Sequence, residues 1–529
     1  MNTYVANTPL DPKAHYRLLR HCTSRELWEN HIPEFNQSGP ESRPGRVGLI
    51  RAVGVVFSSA ATAAEKQNAR EWLVQLLADP SEKVRRYAIL ALPKLGTGPK
   101  EETALLDLFH STASTRERDA LAETLGKIGS AASLQALRDA PGAPVHAVQK
   151  IQAGIVRVED AGSLNMDQPL EDFRNLRIHL RCRKGLEAMV RDEVAAESPT
   201  AQKFQFLQEG KTFVAVRAAA PFSLTELTFS RCAASMGFVL GIIRPGETSF
   251  REEVIAHAIT SPLARRLFHA FHHGTPRYRI DFIGTEARRG SAIDIASRAY
   301  SLNPRILNDA HHAPWAVEVH GTAVGESIEL RPRWSPDPRF AYRVGDVAAS
   351  SHPPLAAALA RISLADGGSV ADAKIWDPFC GSGLELIERT ALGGVGCVHG
   401  SDLDAEAIAT ARANMLEAEK LHLWAKPPRT SLHCGDFRKY PGQAGIGPGS
   451  LDLVISNPPL GRRIRVPDLR GLIGDLFQTS GHVLRPGGKL VFTHPLKTGD
   501  PTKRFRLHSR HPADLGGYEC RLECWIKER

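Results

Sequence analysis

The spacing of apolar residues changes period along the chain. Between Ala69 and Gly129 they recur at steps of three and four: Val84, Ala88, Ala91, Leu92 and Leu95, then Leu105, Leu106 and Leu108, then Leu121, Leu125 and Ile128. Such stripes belong to helices that bury one face. From Leu176 the step shortens to two, with Leu176, Ile178, Leu180 and Cys182 alternating with Arg177, His179 and Arg181. That is the pattern of a half-buried strand. Further strands are expected at 211–216, 238–243, 278–282, 316–319 and 327–330, and helices at 183–193 and 224–234. Past residue 350 short apolar runs at 373–376, 396–400, 431–434, 451–456 and 487–493 alternate with helical stripes. Two more runs, 504–507 and 519–525, close the chain. Strand–helix alternation of this kind predicts a doubly wound α/β sheet.

Three regions follow: 1–165 all helical, 170–345 mixed α/β, and 346–529 α/β, with a polar linker at 161–172. Within the first, Asp79-Pro80 ends one helix, because proline bars its predecessor from helical geometry. Gly96 and Gly129 close similar stretches 33 residues apart. The second stretch lacks Asp-Pro and carries Glu117 where the first has Val84, and a third at 133–158 is fainter. The pattern resembles HEAT-type repeats, in which helix pairs bury their apolar faces by stacking. An ordinary small helical bundle would show similar stripes. Either arrangement suits a short platform for protein or RNA.

Composition narrows the class. The 529 residues are 42% hydrophobic and 24% charged, with a net charge of +9. This is a globular composition whose basic excess permits a nucleic-acid partner. Eight cysteines are scattered singly apart from Cys520 and Cys524, which suggests neither a disulfide framework nor a zinc site. The pairs His272-His273 and His311-His312 have no third ligand at metal spacing, so no metal is expected. The first ten residues do not read as a signal peptide, and no apolar run reaches membrane-spanning length. A cytoplasmic protein without membrane contact is the expectation.

The candidate chemistry centres on Asp377-Pro378-Phe379-Cys380-Gly381-Ser382-Gly383, between a strand and a helix. Gly381 and Gly383 let backbone approach a ligand closely. No Lys-Ser/Thr pair follows, which argues against a phosphate loop. Asp377 would repel pyrophosphate and suits the cationic amino-acid end of S-adenosylmethionine. Asp402 ends the next strand, 19 residues beyond Gly383, where such folds hold ribose hydroxyls. Asp436 follows the third strand and can accept from an adenine amine. Asn457-Pro458-Pro459-Leu460 follows the fourth. The Asn457 side-chain oxygen and the Pro458 carbonyl offer two acceptors for an –NH2 group.

The glycine turn, the two strand-end acids and Asn-Pro-Pro together resemble class I S-adenosylmethionine-dependent amino-methyltransferases. Over Ser350 to His494 the resemblance is to the THUMP-associated RNA guanine-N2 methyltransferases. It implies that Asp377, Phe379, Gly381 and Gly383 hold the methionine end, Asp402 the ribose and Asp436 the adenine. It also implies that Asn457 and Pro458, with Pro459 and Leu460, orient a guanine N2 amine of tRNA or rRNA. The family pattern has Tyr or Phe at the position of Leu460, which leaves N6 of adenine in DNA or RNA, or a catalytically inactive RNA-binding scaffold, as alternatives. The strand before Arg183-Lys184-Gly185-Leu186-Glu187 resembles the start of a THUMP-type RNA-binding domain. Arg331, Arg333, Arg339 and Arg343, interleaved with Trp334, Phe340 and Tyr342, suit phosphates and stacked bases. Arg462 and Arg463 are candidates for phosphate contact.

Overall fold

The computed structural model describes residues 11–160, 162–196, 198–246, 250–322, 325–348, 350–364, 371–461, 465–497 and 499–528. The chain forms two compact units assembled from separate stretches. The first comprises 1–163, 241–268 and 272–328, and the second 164–240, 269–271 and 329–529. The segment 170–345 is thus divided between them.

In the first unit the helical stripes pack as helix pairs, among them Gly48–Ala60, Ala63–Gln75, Glu82–Ala91, Pro99–Ser111 and Thr115–Ile128. Val84, Ala88, Leu92, Leu105, Leu121 and Leu125 are fully buried. Gly54 allows a close helix crossing, since a Cβ there would stand 3.0 Å from the Cβ of Ala91. Glu117, the polar departure in the second repeat, is also fully buried. Its carboxylate accepts from the Arg85 guanidinium at 2.6 and 2.9 Å and from the Thr112 hydroxyl at 2.5 Å. The departure is therefore a paired interior charge, satisfied as burial requires. The faint third repeat is a full pair, Ala131–Asp139 and Val145–Glu159. Farther along, strand Arg277–Ile283 runs parallel to Trp315–Thr322 and Leu307–Asn308. Three helices absent from the sequence expectation occupy Arg251–Ile259, Pro262–Phe271 and Ser291–Leu302.

In the second unit, strands Phe204–Gly210, Phe213–Ala218, Arg177–Arg181 and Ser235–Ile243 pair antiparallel in that spatial order. The helix expected at 224–234 is a single turn, Leu224–Leu227. Its remainder folds as an irregular segment whose carbonyls and Arg231 side chain bond to later parts of the chain, so tertiary partners override local propensity.

The C-terminal sheet has seven strands. They are β1 (Ala373–Asp377), β2 (Val395–Asp402), β3 (Arg429–Cys434), β4 (Leu451–Ser456), β5 (Leu484–His494), β6 (Phe505–Asp514) and β7 (Glu519–Lys527). Helices α1 (Pro353–Ile362), α2 (Leu384–Ala391), α3 (Ala405–Lys420) and α4 (Leu469–Val483) connect or cover them. The spatial order is β3-β2-β1-β4-β5-β7-β6. β1 to β5 are mutually parallel, and β7 pairs antiparallel with β5 and β6. The order reverses between β1 and β4. At such a switch point the connections leave in opposite directions and open a crevice beyond the strand ends. Asp377 ends β1 and Asn457 follows β4, so the sheet brings two distant motifs to one crevice. One face is sealed by Trp376, Val454, Ile473, Phe477, Leu490, Phe492 and Trp525.

The 164–240 stretch is fastened to this sheet. Arg231 donates twice to Glu388 on α2, at 2.8 and 2.7 Å, and the Tyr342 hydroxyl donates to the same carboxylate at 2.6 Å. Glu193 accepts from Ser230, Cys232 and Arg361. Gly185 passes so close to β6 that a Cβ would collide with the Pro512 carbonyl oxygen at 1.6 Å.

Candidate active site

The glycine turn is built for backbone exposure. Gly381 and Gly383 have φ of 48° and 84°, the left-handed region that favours glycine. The Gly383 amide donates to the Cys380 carbonyl at 2.7 Å, closing the turn. A Cβ on Gly381 would meet nothing nearer than Val347 Cγ2 at 3.9 Å, so the turn presents open space there. A Cβ on Gly383 would press on Ala411 of α3 at 3.3 Å. Asn414, fully buried on α3, donates to the carbonyls of Ser382 and Gly345 and accepts from the Gly345 amide. The turn is held from behind and free in front.

Around it stand the acids. Asp377 is completely buried, and its Oδ1 accepts from the Ser456 hydroxyl at 2.5 Å and the Phe379 amide at 3.0 Å. Its Oδ2 is buried with no hydrogen-bond partner. Burial first, and the charge of nearby Glu385 second, push the Asp377 carboxyl well above its usual range. Burial likewise pushes Glu385 up to about 7. Two interior carboxyl groups that resist ionising, one with an orphaned oxygen, fit a cationic ligand. The ammonium of S-adenosylmethionine is such a group.

Asp402 accepts the Gly381 amide on Oδ2 at 2.9 Å and the Asp404 amide on Oδ1 at 3.0 Å. Each oxygen keeps a lone pair, enough for two vicinal hydroxyls. Asp436 is half-buried and already engaged by Arg438 through its backbone amide and guanidinium, at 3.0 and 3.2 Å. Phe379 and Phe437 pack with ring centroids 4.7 Å apart between the glycine turn and Asp436.

Across the crevice, Asn457 Nδ2 donates to Ser351 Oγ at 2.9 Å, and the Ser351 hydroxyl donates to the Glu385 carboxylate. Asn457 Oδ1 is buried and has no partner. Pro458 is buried, while Pro459 and Leu460 are half-buried. The Leu460 carbonyl accepts from the Tyr518 hydroxyl at 3.5 Å. Ser351, Glu385 and Tyr518 border the candidate site through these contacts, and sequence reasoning missed them. The one signal was an acid at 385 inside the otherwise apolar run Leu384, Leu386 and Ile387.

The basic run before α1 requires a correction. Arg339 is interior and donates to the carbonyls of Ser230 and Ala233 at 2.7 and 2.6 Å. Phe340 and Tyr342 are also buried, so none of the three can meet phosphate or stack on a base. Interior carbonyls claim the guanidinium more than a hundred residues away in sequence. Arg343 is half-buried and pairs with Asp346 at 2.5 Å. Arg331, Arg333 and Trp334 are half-buried. Arg462 and Arg463 lie outside the described residues.

Residues 341–499 match the family described as "RMKL-like, methyltransferase domain". This segment is a methyltransferase domain. S-adenosylmethionine is its cofactor. Residues 70–153 match HEAT repeats. Among solved structures, TrmN from Thermus thermophilus is 21% identical, over 67% of this chain and 100% of its own, with a TM-score of 0.50. A "possible methylase" from Clostridium difficile 630 is 15% identical over 67% of this chain and 98% of its own, with a TM-score of 0.48. No curated protein matches the sequence. Among the described residues no helix is long and apolar enough to cross a membrane.

Proposed function

We propose that the protein transfers a methyl group from S-adenosylmethionine to the exocyclic N2 amine of guanine in tRNA or rRNA. The observation that carries the chemistry is Asn457. Its amide nitrogen is occupied by Ser351, and its buried, partnerless oxygen lies at the switch point that Asp377 also borders. A buried acceptor without a donor costs free energy until a donor arrives. An aromatic –NH2 group brings two. The guanine assignment rests on the resemblance of 350–494 to guanine-N2 methyltransferases. RNA as substrate is supported by the +9 charge and by the THUMP-like opening at 176–193.

The cofactor supplies an electron-poor methyl carbon on a sulfonium. Asp377 would hold its ammonium end, Asp402 its ribose and Asp436 its adenine. Asn457 Oδ1 and the Pro458 carbonyl accept the two amine hydrogens. That draws the nitrogen lone pair out of the ring and aims it at the methyl carbon. That sulfonium group would supply the methyl and leave as a neutral thioether, and the methylated amine would release one proton to solvent. Leu460 supplies apolar contact to the base edge, and Tyr518 an aromatic ring from the β6–β7 turn.

Asp402→Ala is expected to weaken S-adenosylmethionine binding by about 10- to 100-fold, the worth of charge-assisted hydrogen bonds. Titration calorimetry measures it, and unchanged affinity would remove Asp402 from the site. The function itself is tested by nucleoside mass spectrometry of total RNA from a deletion strain. Loss of N2-methylguanosine from one RNA species supports the proposal. Loss of N6-methyladenine with guanosines unchanged moves the assignment to adenine, and an unaltered profile favours an inactive scaffold.

A further inference from the structure

We propose that Ser351 and Glu385 are positioning residues that decide which end of the Asn457 amide faces the methyl acceptor. The inference rests on reading Asn457 as the amine's seat and deepens it. An amide has a donating and an accepting end, and the two are nearly equal in shape. Only the accepting end can hold an amine hydrogen, so something must fix the flip.

The hydrogen-bond chain does so by polarity. An ionised carboxylate only accepts, so Glu385 takes the Ser351 proton. The Ser351 oxygen is then left to accept, and it receives Asn457 Nδ2 at 2.9 Å. Oδ1 is turned the other way, buried and partnerless. Ser351 and Glu385 are both interior, at 8% and 3% exposure, so water does not compete for the chain. With a proton on Glu385 the chain can run backwards. Glu385 then donates to Ser351, Ser351 donates to Oδ1, and the flipped amide presents –NH2 to the substrate. That polarity suits a carbonyl and repels an amine, so the relay selects donor groups over acceptor groups.

The groups that face Glu385 are Asp377 at the end of β1, Cys380 in the glycine turn, Glu388 one turn along α2 and Tyr342 ahead of α1. Glu388 carries Arg231 and Tyr342 as partners. Burial, with the charge of Glu388 adding to it, pushes the Glu385 carboxyl up to about 7. The ionised, amine-accepting polarity is therefore present above that pH and is lost as pH falls through it.

The test measures turnover on total RNA from a deletion strain at saturating S-adenosylmethionine, with cofactor affinity measured by calorimetry. Ser351→Ala should lower kcat about five- to tenfold, the worth of one hydrogen bond, with cofactor affinity unchanged. Ser351→Thr, which keeps the hydroxyl, should restore it. Wild type is expected to lose kcat as pH falls through the Glu385 titration, and Glu385→Gln to show no such acid limb. Unchanged kcat in Ser351→Ala, equal loss of cofactor binding, failure of Thr to rescue, or an acid limb surviving in Glu385→Gln would each overturn the relay. Asn457→Ala separates the two levels. If it is inactive while Ser351→Ala is normal, the relay alone fails. If Asn457→Ala itself turns over normally, the reading of Asn457 fails with it.

Discussion

Asn457→Ala is expected to lower kcat by about 10²- to 10³-fold, the range for removing one preorganised polar group at a reacting centre. Cofactor affinity should stay within a few-fold, because Asn457 bonds to Ser351 and not to the glycine turn. The size of the effect follows from the nucleophile. An exocyclic aromatic amine shares its lone pair with the ring, and acceptors on its hydrogens are what return that pair to nitrogen. Alanine leaves the Pro458 carbonyl as the remaining acceptor. It also leaves Ser351 and Glu385 with no amide to orient. Single-turnover methyl transfer, measured beside a calorimetric titration, separates lost chemistry from lost binding. A fall in kcat matched by an equal fall in cofactor affinity would place Asn457 in the cofactor pocket instead.

Arg231→Ala is expected to destabilise the second unit by about 3 kcal/mol, because removing one partner of a buried pair strands the other charge. Glu388 is 2% exposed and takes two of its donors from Arg231. Tyr342 alone then remains to it. The pair fastens the 164–240 stretch to α2, the helix that carries Glu385. Arg231→Met combined with Glu388→Gln should lose less than the sum of the single changes, since neither partner is then a stranded charge. Denaturant midpoints for wild type, both single variants and the double variant check this. Strict additivity would mean that the two side chains do not stabilise one another.

The C-terminal sheet, its glycine turn and the acids at its strand ends are legible in the sequence because each is a local feature. A strand end, a glycine turn and an acid lie within a few residues of one another, and positive φ favours glycine. The helical stripes of the repeats are legible for the same reason, and Glu117 explains itself only once Arg85 lies beside it. What escapes sequence reading depends on partners far along the chain. Glu385 looks like a solvent-facing helix residue until Ser351, 34 positions earlier, is seen to donate to it. Arg339, Phe340 and Tyr342 look like a surface for RNA until Ser230, Ala233 and Glu388 are seen to hold Arg339 and Tyr342 inside. A charged or aromatic run has the same appearance in sequence whether it meets solvent or the carbonyls of a distant loop. Helical spacing at Ile255, Ala256 and Ile259, and again at Ile295, Ala296 and Ala299, was available, but the neighbouring strands dominate the pattern of that region.

The central claim is that this crevice seats an exocyclic guanine amine against the methyl carbon of S-adenosylmethionine. Its most direct measurement incubates the purified protein with RNA from a deletion strain and S-adenosylmethionine bearing a trideuterated methyl group, followed by nucleoside mass spectrometry. The account predicts labelled N2-methylguanosine with wild type and its loss with Asn457→Ala. Label on N6 of adenine, or no label in RNA from a protein that binds the cofactor, would contradict it.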